Sequence, residues 1–197
     1  MQSIEDKIEK SIKSKQRGVL LFADDFIEYG SSEAIRQALV RLVNKEVIKR
    51  VTQGIYVRPI ISEYLGEVLP TAEQVAQGIA KRDKIKIVPT GTYALNKLGL
   101  STQIPLKLVY LTDGAPREIQ IGKRTIKLKR TTQKNLLAKG KISRLVIQAL
   151  REVGQKGVTE ELENKIIELL KKEERKELAY DIKLASVWIR KIMQKAL

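Results

Sequence analysis

The sequence contains no cysteine and no histidine. Thiolate nucleophiles, Ser-His and Cys-His pairs, disulfides and Cys/His zinc sites are excluded together, because each needs a side chain that is absent. A magnesium ion held by carboxylates is the only metal chemistry left formally open, and no cofactor is expected. Aromatic residues make up only 5% of the chain. Cores must therefore be built from Ile, Leu, Val and Ala, and few residues are available to stack on unpaired bases. Long apolar runs are also lacking. Val19-Leu20-Leu21-Phe22-Ala23 is among the longest, far short of the roughly 20 residues a membrane-spanning helix needs. The start, Met1-Gln2-Ser3-Ile4-Glu5-Asp6, has no cationic segment followed by an apolar one, so no signal peptide is expected. With no disulfide, the expectation is a soluble, cytoplasmic protein that does not enter the membrane.

Positive charge is what the chain has in excess: 38 Lys and Arg against 23 Asp and Glu, a net +15 over 197 residues. Residues 1–60 carry 11 basic and 8 acidic side chains, residues 61–140 carry 14 and 6, and residues 141–197 carry 13 and 9. A polyanion or an acidic protein surface is the natural partner for such a field, although charge also serves solubility alone. The hydrophobic share of 43% suits globular structure, in one large or two small domains.

Pattern places the elements. Ser3 with Asp6 caps a first helix carrying Ile4, Ile8 and Ile12 at helical spacing. Val19 to Phe22 reads as a short extended segment. Asp24 or Asp25 caps a second short helix through Tyr29, closed by Gly30. Ser31 or Ser32 caps a third, with Ile35, Leu39, Leu42 and Val43 on one face. Two β-branched runs, Val47–Val51 and Ile55–Val57, flank Thr52-Gln53-Gly54 and predict a hairpin. Helix, strand, helix, tight turn, helix and hairpin, in that order, are the elements of a winged helix-turn-helix; a generic small α+β domain is the plainer reading. Residues 60–70 read as a connector, giving a DNA-binding domain over 1–62 and a second domain over 68–197. In the second, Thr71 and Gln74 cap a helix. Strands are predicted over Ile85–Val88, Leu106–Thr112, Arg117–Ile121 and Arg124–Arg130, and helices over Ile142–Val153, Thr159–Lys172 and Arg175 to about Ala196. The predicted fold is α+β: a winged helix-turn-helix, then a mixed α/β domain with a helical C-terminus.

Chemistry-bearing residues fall in three places. On the third helix, the face opposite Ile35 presents Glu33, Arg36, Gln37, Val40, Arg41 and Asn44. Arg, Gln and Asn are the side chains that make bidentate hydrogen bonds to guanine or adenine edges in the major groove. Ser31 and Ser32 lie at that helix's N-terminus, suited to a phosphate, and Lys49, Arg50, Thr52, Gln53 and Arg58 lie on the hairpin within reach of flanking phosphates. A merely solvated helix face has the same composition. Second, Lys123-Arg124-Thr125-Ile126-Lys127-Leu128-Lys129-Arg130 as a strand puts Lys123, Thr125, Lys127 and Lys129 on one face. That face suits an acidic partner, or guards a sheet edge against aggregation. Third, Pro89-Thr90-Gly91-Thr92 joins a strand to a helix but lacks the spacing of known phosphate-binding loops, so enzymatic activity is not expected.

Three stretches, Lys49-Arg50-Val51-Thr52-Gln53-Gly54-Ile55-Tyr56, Val88-Pro89-Thr90-Gly91-Thr92-Tyr93-Ala94-Leu95-Asn96-Lys97-Leu98-Gly99-Leu100-Ser101-Thr102-Gln103 and Val109-Tyr110-Leu111-Thr112-Asp113-Gly114, resemble the AbiEi antitoxins of type IV toxin–antitoxin and abortive-infection systems. The resemblance covers residues 1 to about 155, and Asp181–Ile192 with Trp188 is similar to the family's C-termini. It implies an N-terminal domain that binds duplex DNA at its own promoter, and a C-terminal region that counteracts a companion nucleotidyltransferase toxin without the need for a stable complex. It implies no catalytic residue. Two other readings stand beside it: an RNA-binding protein using the 123–130 strand, and a nucleotide-handling enzyme built on Pro89–Thr92.

Overall fold

The structure, a computed structural model, describes residues 2–197. It is a mixed α+β protein that divides into two compact units within one helix. The first unit runs up to Gly78 and includes Gln120–Gly122; the second holds Ile79–Ile119 and Lys123–Leu197.

In the first unit, α1 (Ile4–Ser14) opens on a reciprocal cap. The Ser3 hydroxyl accepts from the Asp6 amide at 3.1 Å, and the Asp6 carboxylate accepts from the Ser3 amide at 3.1 Å. β1 (Leu20–Phe22) leads into the expected second short helix, a 3₁₀ helix (Ala23–Tyr29) that ends at Gly30. The Asp25 carboxylate turns back to accept from the Phe22 amide at 2.9 Å, satisfying the first exposed donor of that tight turn. Next come α2 (Ser32–Asn44) and the hairpin of β2 (Lys49–Thr52) and β3 (Ile55–Val57). The sheet order is β1-β3-β2, all antiparallel, with Leu21 opposite Tyr56 and Arg50 opposite Tyr56. Ile8, Ile12, Leu21, Phe26, Ile35, Ala38, Leu39, Leu42, Ile48 and Tyr56 form one buried core.

Residues 60–70, expected as a connector, contain a second hairpin: β4 (Ile60–Ser62) and β5 (Gly66–Val68), with Ile60 opposite Val68. The boundary expected at 62–68 therefore falls later, at Gly78 within α3 (Ala72–Asp83). The missed signal was Ile60-Ile61 and Val68 around Gly66, too short and too apolar to show alternation.

The second unit holds a four-stranded sheet in the order β6-β7-β9-β8: β6 (Ile87–Pro89), β7 (Lys107–Thr112), β8 (Arg117–Ile121) and β9 (Arg124–Arg130). β7 and β9 run parallel, with Tyr110 opposite Leu128. Pro89 is tolerated because β6 is an edge strand. α4 (Thr92–Lys97) follows β6, and four helices complete the chain: α5 (Lys141–Val153), α6 (Glu160–Leu170), α7 (Arg175–Ile182) and α8 (Val187–Gln194). The single helix expected from Arg175 to about Ala196 is two. Ser186 is extended (φ −63°, ψ 159°), and the Arg190 guanidinium donates to the carbonyls of Lys183 at 3.2 Å and Ala185 at 3.4 Å, taking up carbonyls that the break leaves open.

That break lets α7 present Asp181 to α5. The Asp181 carboxylate, fully buried, accepts from the amides of Lys139 and Gly140 at 2.8 Å each and from the Ser143 hydroxyl. Glu173 accepts from the amides of Ile142 at 2.6 Å and Ser143 at 3.0 Å. Two carboxylates thus satisfy the N-terminal donors of α5, where a helix dipole favours negative charge. A side chain at Gly140 would collide with Ser143 and Glu173. No helix among the described residues is long and apolar enough to cross a membrane.

Asp181→Ala strands three buried donors, and unmade buried hydrogen bonds cost ~1–3 kcal/mol each. Urea denaturation should show a loss of at least about 3 kcal/mol, several times that of removing the exposed α6 cap with Thr159→Ala, which should cost ~1 kcal/mol. Equal losses would show that Asp181 does not organise α5.

Candidate nucleic-acid interface

The α2 surface is set by its own sequence. Ser31 is extended (φ −66°, ψ 153°), and its hydroxyl accepts from the Ala34 amide at 3.3 Å. Ser32 begins the helix and is exposed. Ile35, Ala38, Leu39 and Leu42 recur at helical spacing and are buried, so rotation about the axis is fixed and Arg36, Gln37, Val40, Arg41 and Asn44 are left in solvent.

Two carboxylates hold the donors of this surface. Glu33, in the first turn, takes Arg36 through both oxygens (Nε to Oε2 3.0 Å, Nη2 to Oε1 2.6 Å) and Gln37 Nε2 to Oε1 at 2.9 Å. Glu5, from α1, accepts from Arg41 Nε at 2.5 Å and Lys45 Nζ at 2.6 Å. Only 13% of the Glu5 side chain is exposed. The Arg36 guanidinium and then Gln37 hold the Glu33 carboxyl below the usual carboxylate range, and Glu33 in turn raises Arg36. Lys45 and then Arg41 lower Glu5, while Glu5 raises Lys45. Of these groups, Lys45 and Glu5 were not expected at the site. The Glu33 spacing to Arg36 and Gln37 was readable as i,i+3 and i,i+4; the Glu5–Arg41 contact, 36 residues apart, had no local signal.

The β2–β3 hairpin carries the other expected residues, with mixed outcomes. Gly54 has φ +71°, which the turn requires, and its carbonyl accepts from the Ala23 amide at 3.1 Å. The strand register shifts between Arg50 and Thr52, a bulge that leaves Arg50 and Gln53 exposed beside half-buried Thr52. Lys49 is drawn instead to Glu67 at 3.3 Å and Glu46 at 3.7 Å. Arg58 lies beyond β3, and its Nη1 donates to the Lys13 carbonyl at 3.2 Å, at the end of α1. It closes a helix terminus and does not belong to the hairpin surface.

The 123–130 stretch is less of a lysine face than expected. Lys123 sits in the turn before β9. Lys127 is half-buried and donates to Glu118 at 2.7 Å, where Lys107 also arrives at 3.1 Å. Lys127 and then Lys107 lower the Glu118 carboxyl. Lys129 is exposed. Nor is β9 a guarded edge: it lies between β7 and β8. In the Pro89–Thr92 turn, the Thr90 hydroxyl donates to Gln148 Oε1 at 3.4 Å. Asp113, at the end of β7, accepts from the Lys86 amide at 2.8 Å. No group of three or more acidic side chains among the described residues is arranged to hold a metal ion.

A protein-family model, described as a family of unknown function (DUF6088), matches residues 7–178. The chain belongs to that family. The DUF6088 match takes in α2, the β2–β3 hairpin, the whole sheet of the second unit and α5. No curated protein matches the chain.

Because the folded Glu5 carboxyl titrates below its unfolded value of about 4.3, its pairing contributes stability at neutral pH that is lost as pH falls through the lower, folded value. A carboxyl-detected NMR titration should find Glu5 and Glu33 titrating below exposed glutamates. A Glu5 value at or above theirs would remove the ion-pair link between α1 and α2.

Proposed function

We propose that the chain is a DNA-binding transcriptional autorepressor and antitoxin. On this reading the first unit is a winged helix-turn-helix, with α2 its recognition helix and β2–β3 its wing. One observation carries it: α1, β1, the 3₁₀ turn, α2 and the β2–β3 hairpin follow in that order, on a sheet ordered β1-β3-β2, with the Arg36, Gln37 and Arg41 face left exposed. The antitoxin role rests on the AbiEi resemblance alone, which implies that the C-terminal region counteracts a nucleotidyltransferase toxin.

The ion pairs shape how such a helix would bind. Arg36 and Gln37 exchange Glu33, and Arg41 exchanges Glu5, for base edges or phosphates. Duplex containing the upstream promoter, scrambled duplex and a structured RNA are compared by fluorescence anisotropy across a salt series. Promoter duplex should bind best; preference for the RNA would favour the RNA-binding alternative. Arg36→Ala should weaken promoter binding by ~1–3 kcal/mol and relax preference at one base pair. Arg50→Ala should weaken all duplexes alike and reduce the salt slope by about 1. Glu5→Gln, which releases Arg41 and Lys45, should strengthen binding to scrambled duplex and steepen its salt dependence. If Arg36→Ala and Arg41→Ala bind the promoter like wild type, α2 is not the reading element.

For the antitoxin half, Lys123→Glu, Lys127→Glu and Lys129→Glu are combined and co-expressed with the companion toxin. Loss of protection with promoter binding intact is the expected result, since charge reversal opposes any acidic surface. Full protection would assign these lysines to the sheet alone.

A further inference from the structure

One side chain at the middle of the exposed α2 face is apolar. Ile35, Ala38, Leu39 and Leu42 fix which side of the helix is buried. At about 100° per residue, Val40 projects within about 30° of the direction opposite the centre of that buried stripe. It is 45% exposed, whereas the other valine of the helix, Val43, packs against the core. Arg36 and Gln37 precede Val40 by one turn, and Arg41 and Asn44 follow it, all exposed. A lone exposed valine is ordinary on a protein surface. What sets this one apart is its place at the centre of a face of long polar side chains. The helix itself gains nothing from it, because a β-branched residue is among the poorer helix formers and an exposed site offers no packing in return.

The neighbours sharpen the contrast. Arg36 and Gln37 are held by Glu33, and Arg41 by Glu5. Those donors must exchange a carboxylate before they meet another molecule, while the valine methyl groups have no polar partner to give up. One half-exposed valine among cations supplies little of the ~800 Å² that each side of a standard protein interface buries. The major groove of duplex DNA matches it better. There the thymine 5-methyl is the apolar group that a base pair presents, and the purine edges beside it take Arg and Gln. A cytosine at the same place would set its N4 amino group against the valine with no acceptor, at the cost of an unmade hydrogen bond.

We propose that Val40 reads the 5-methyl group of a thymine in duplex DNA. The inference rests on α2 being the recognition helix, the reading given above. It also supplies a means of choosing DNA over RNA, since uracil lacks that methyl and the A-form major groove does not admit side chains. The probes are the upstream promoter duplex with its thymidines intact and the same duplex with deoxyuridine at each of those positions, bound to the full chain and followed by fluorescence anisotropy. Wild type should bind the thymidine duplex about fourfold more tightly, the effect of burying one methyl-sized apolar group. Val40→Ala should bind the two duplexes alike with an unchanged circular dichroism spectrum, alanine being the better helix former. Val19→Ala removes a side chain of similar exposure (44%) that is not on α2, and should keep the wild-type ratio. Equal affinity of wild type for both duplexes overturns the inference. So does a preference that survives Val40→Ala, which would assign it to another side chain or to the stiffness of the DNA, or one that Val19→Ala also abolishes. A wild type with no preference for promoter over scrambled duplex removes the recognition-helix reading and this inference with it. Promoter preference without thymine preference removes this inference alone.

Discussion

Ile55–Val57 is a strand of three residues with a neighbour on each side, and all three are buried. Its position between β1 and β2 is the constraint on which the first unit turns. Pairing with β1 draws residues 20–22, and the 3₁₀ turn behind them, against the body of the unit, while pairing with β2 forms the exposed hairpin. Tyr56 carries the same strand into the core with Ile8, Ile12, Leu39 and Leu42, so helices and hairpin are fixed against one another through a single side chain as well as through the ladder. A surface that reads another molecule gains from this, because precision in a site comes from elements held on both sides. The Gly54 turn, hydrogen-bonded to Ala23, closes the remaining freedom of the hairpin tip.

A second constraint acts on charge. The α2 region presents Arg36, Arg41 and Lys45, but Glu33 and Glu5 sit among them as direct partners. Exposed ion pairs contribute little to stability, and their value here lies in arrangement. Each cation is held in one place by its carboxylate, and on the proposed reading it stays screened until a stronger acceptor replaces that carboxylate. Non-specific attraction to phosphate is thereby reduced, while contacts that satisfy a bidentate guanidinium are less affected. The small net charge of residues 1–60 in a chain so basic is therefore compatible with the proposed reading of α2.

Local rules were sufficient wherever the determining contacts were local. The caps at Ser3–Asp6 and Thr71–Gln74, the burial of Ile35, Leu39 and Leu42, and the hairpin turn at Gly54 all follow from residues within one or two turns of each other. What was not legible depended on partners far along the chain. The break between α7 and α8 exists alongside Asp181, whose three donors lie about 40 residues upstream. Arg58 was assigned to the wing because nothing nearby shows that its partner is the carbonyl of Lys13. Lys127 looked like part of a continuous basic face until β8 was placed beside β9, bringing Glu118 to it. The β4–β5 hairpin was missed for a different reason: its apolar residues face solvent, so it lacks the alternation that marks a half-buried strand.

These points bear on one another. If the carboxylates at Glu5 and Glu33 suppress the electrostatic part of DNA binding, one copy of α2 has few phosphate contacts with which to build affinity, since each contact carries a share of the salt-dependent free energy. In a winged helix-turn-helix, the reading proposed above, selectivity rests on the contacts able to displace these carboxylates as much as on any single arginine.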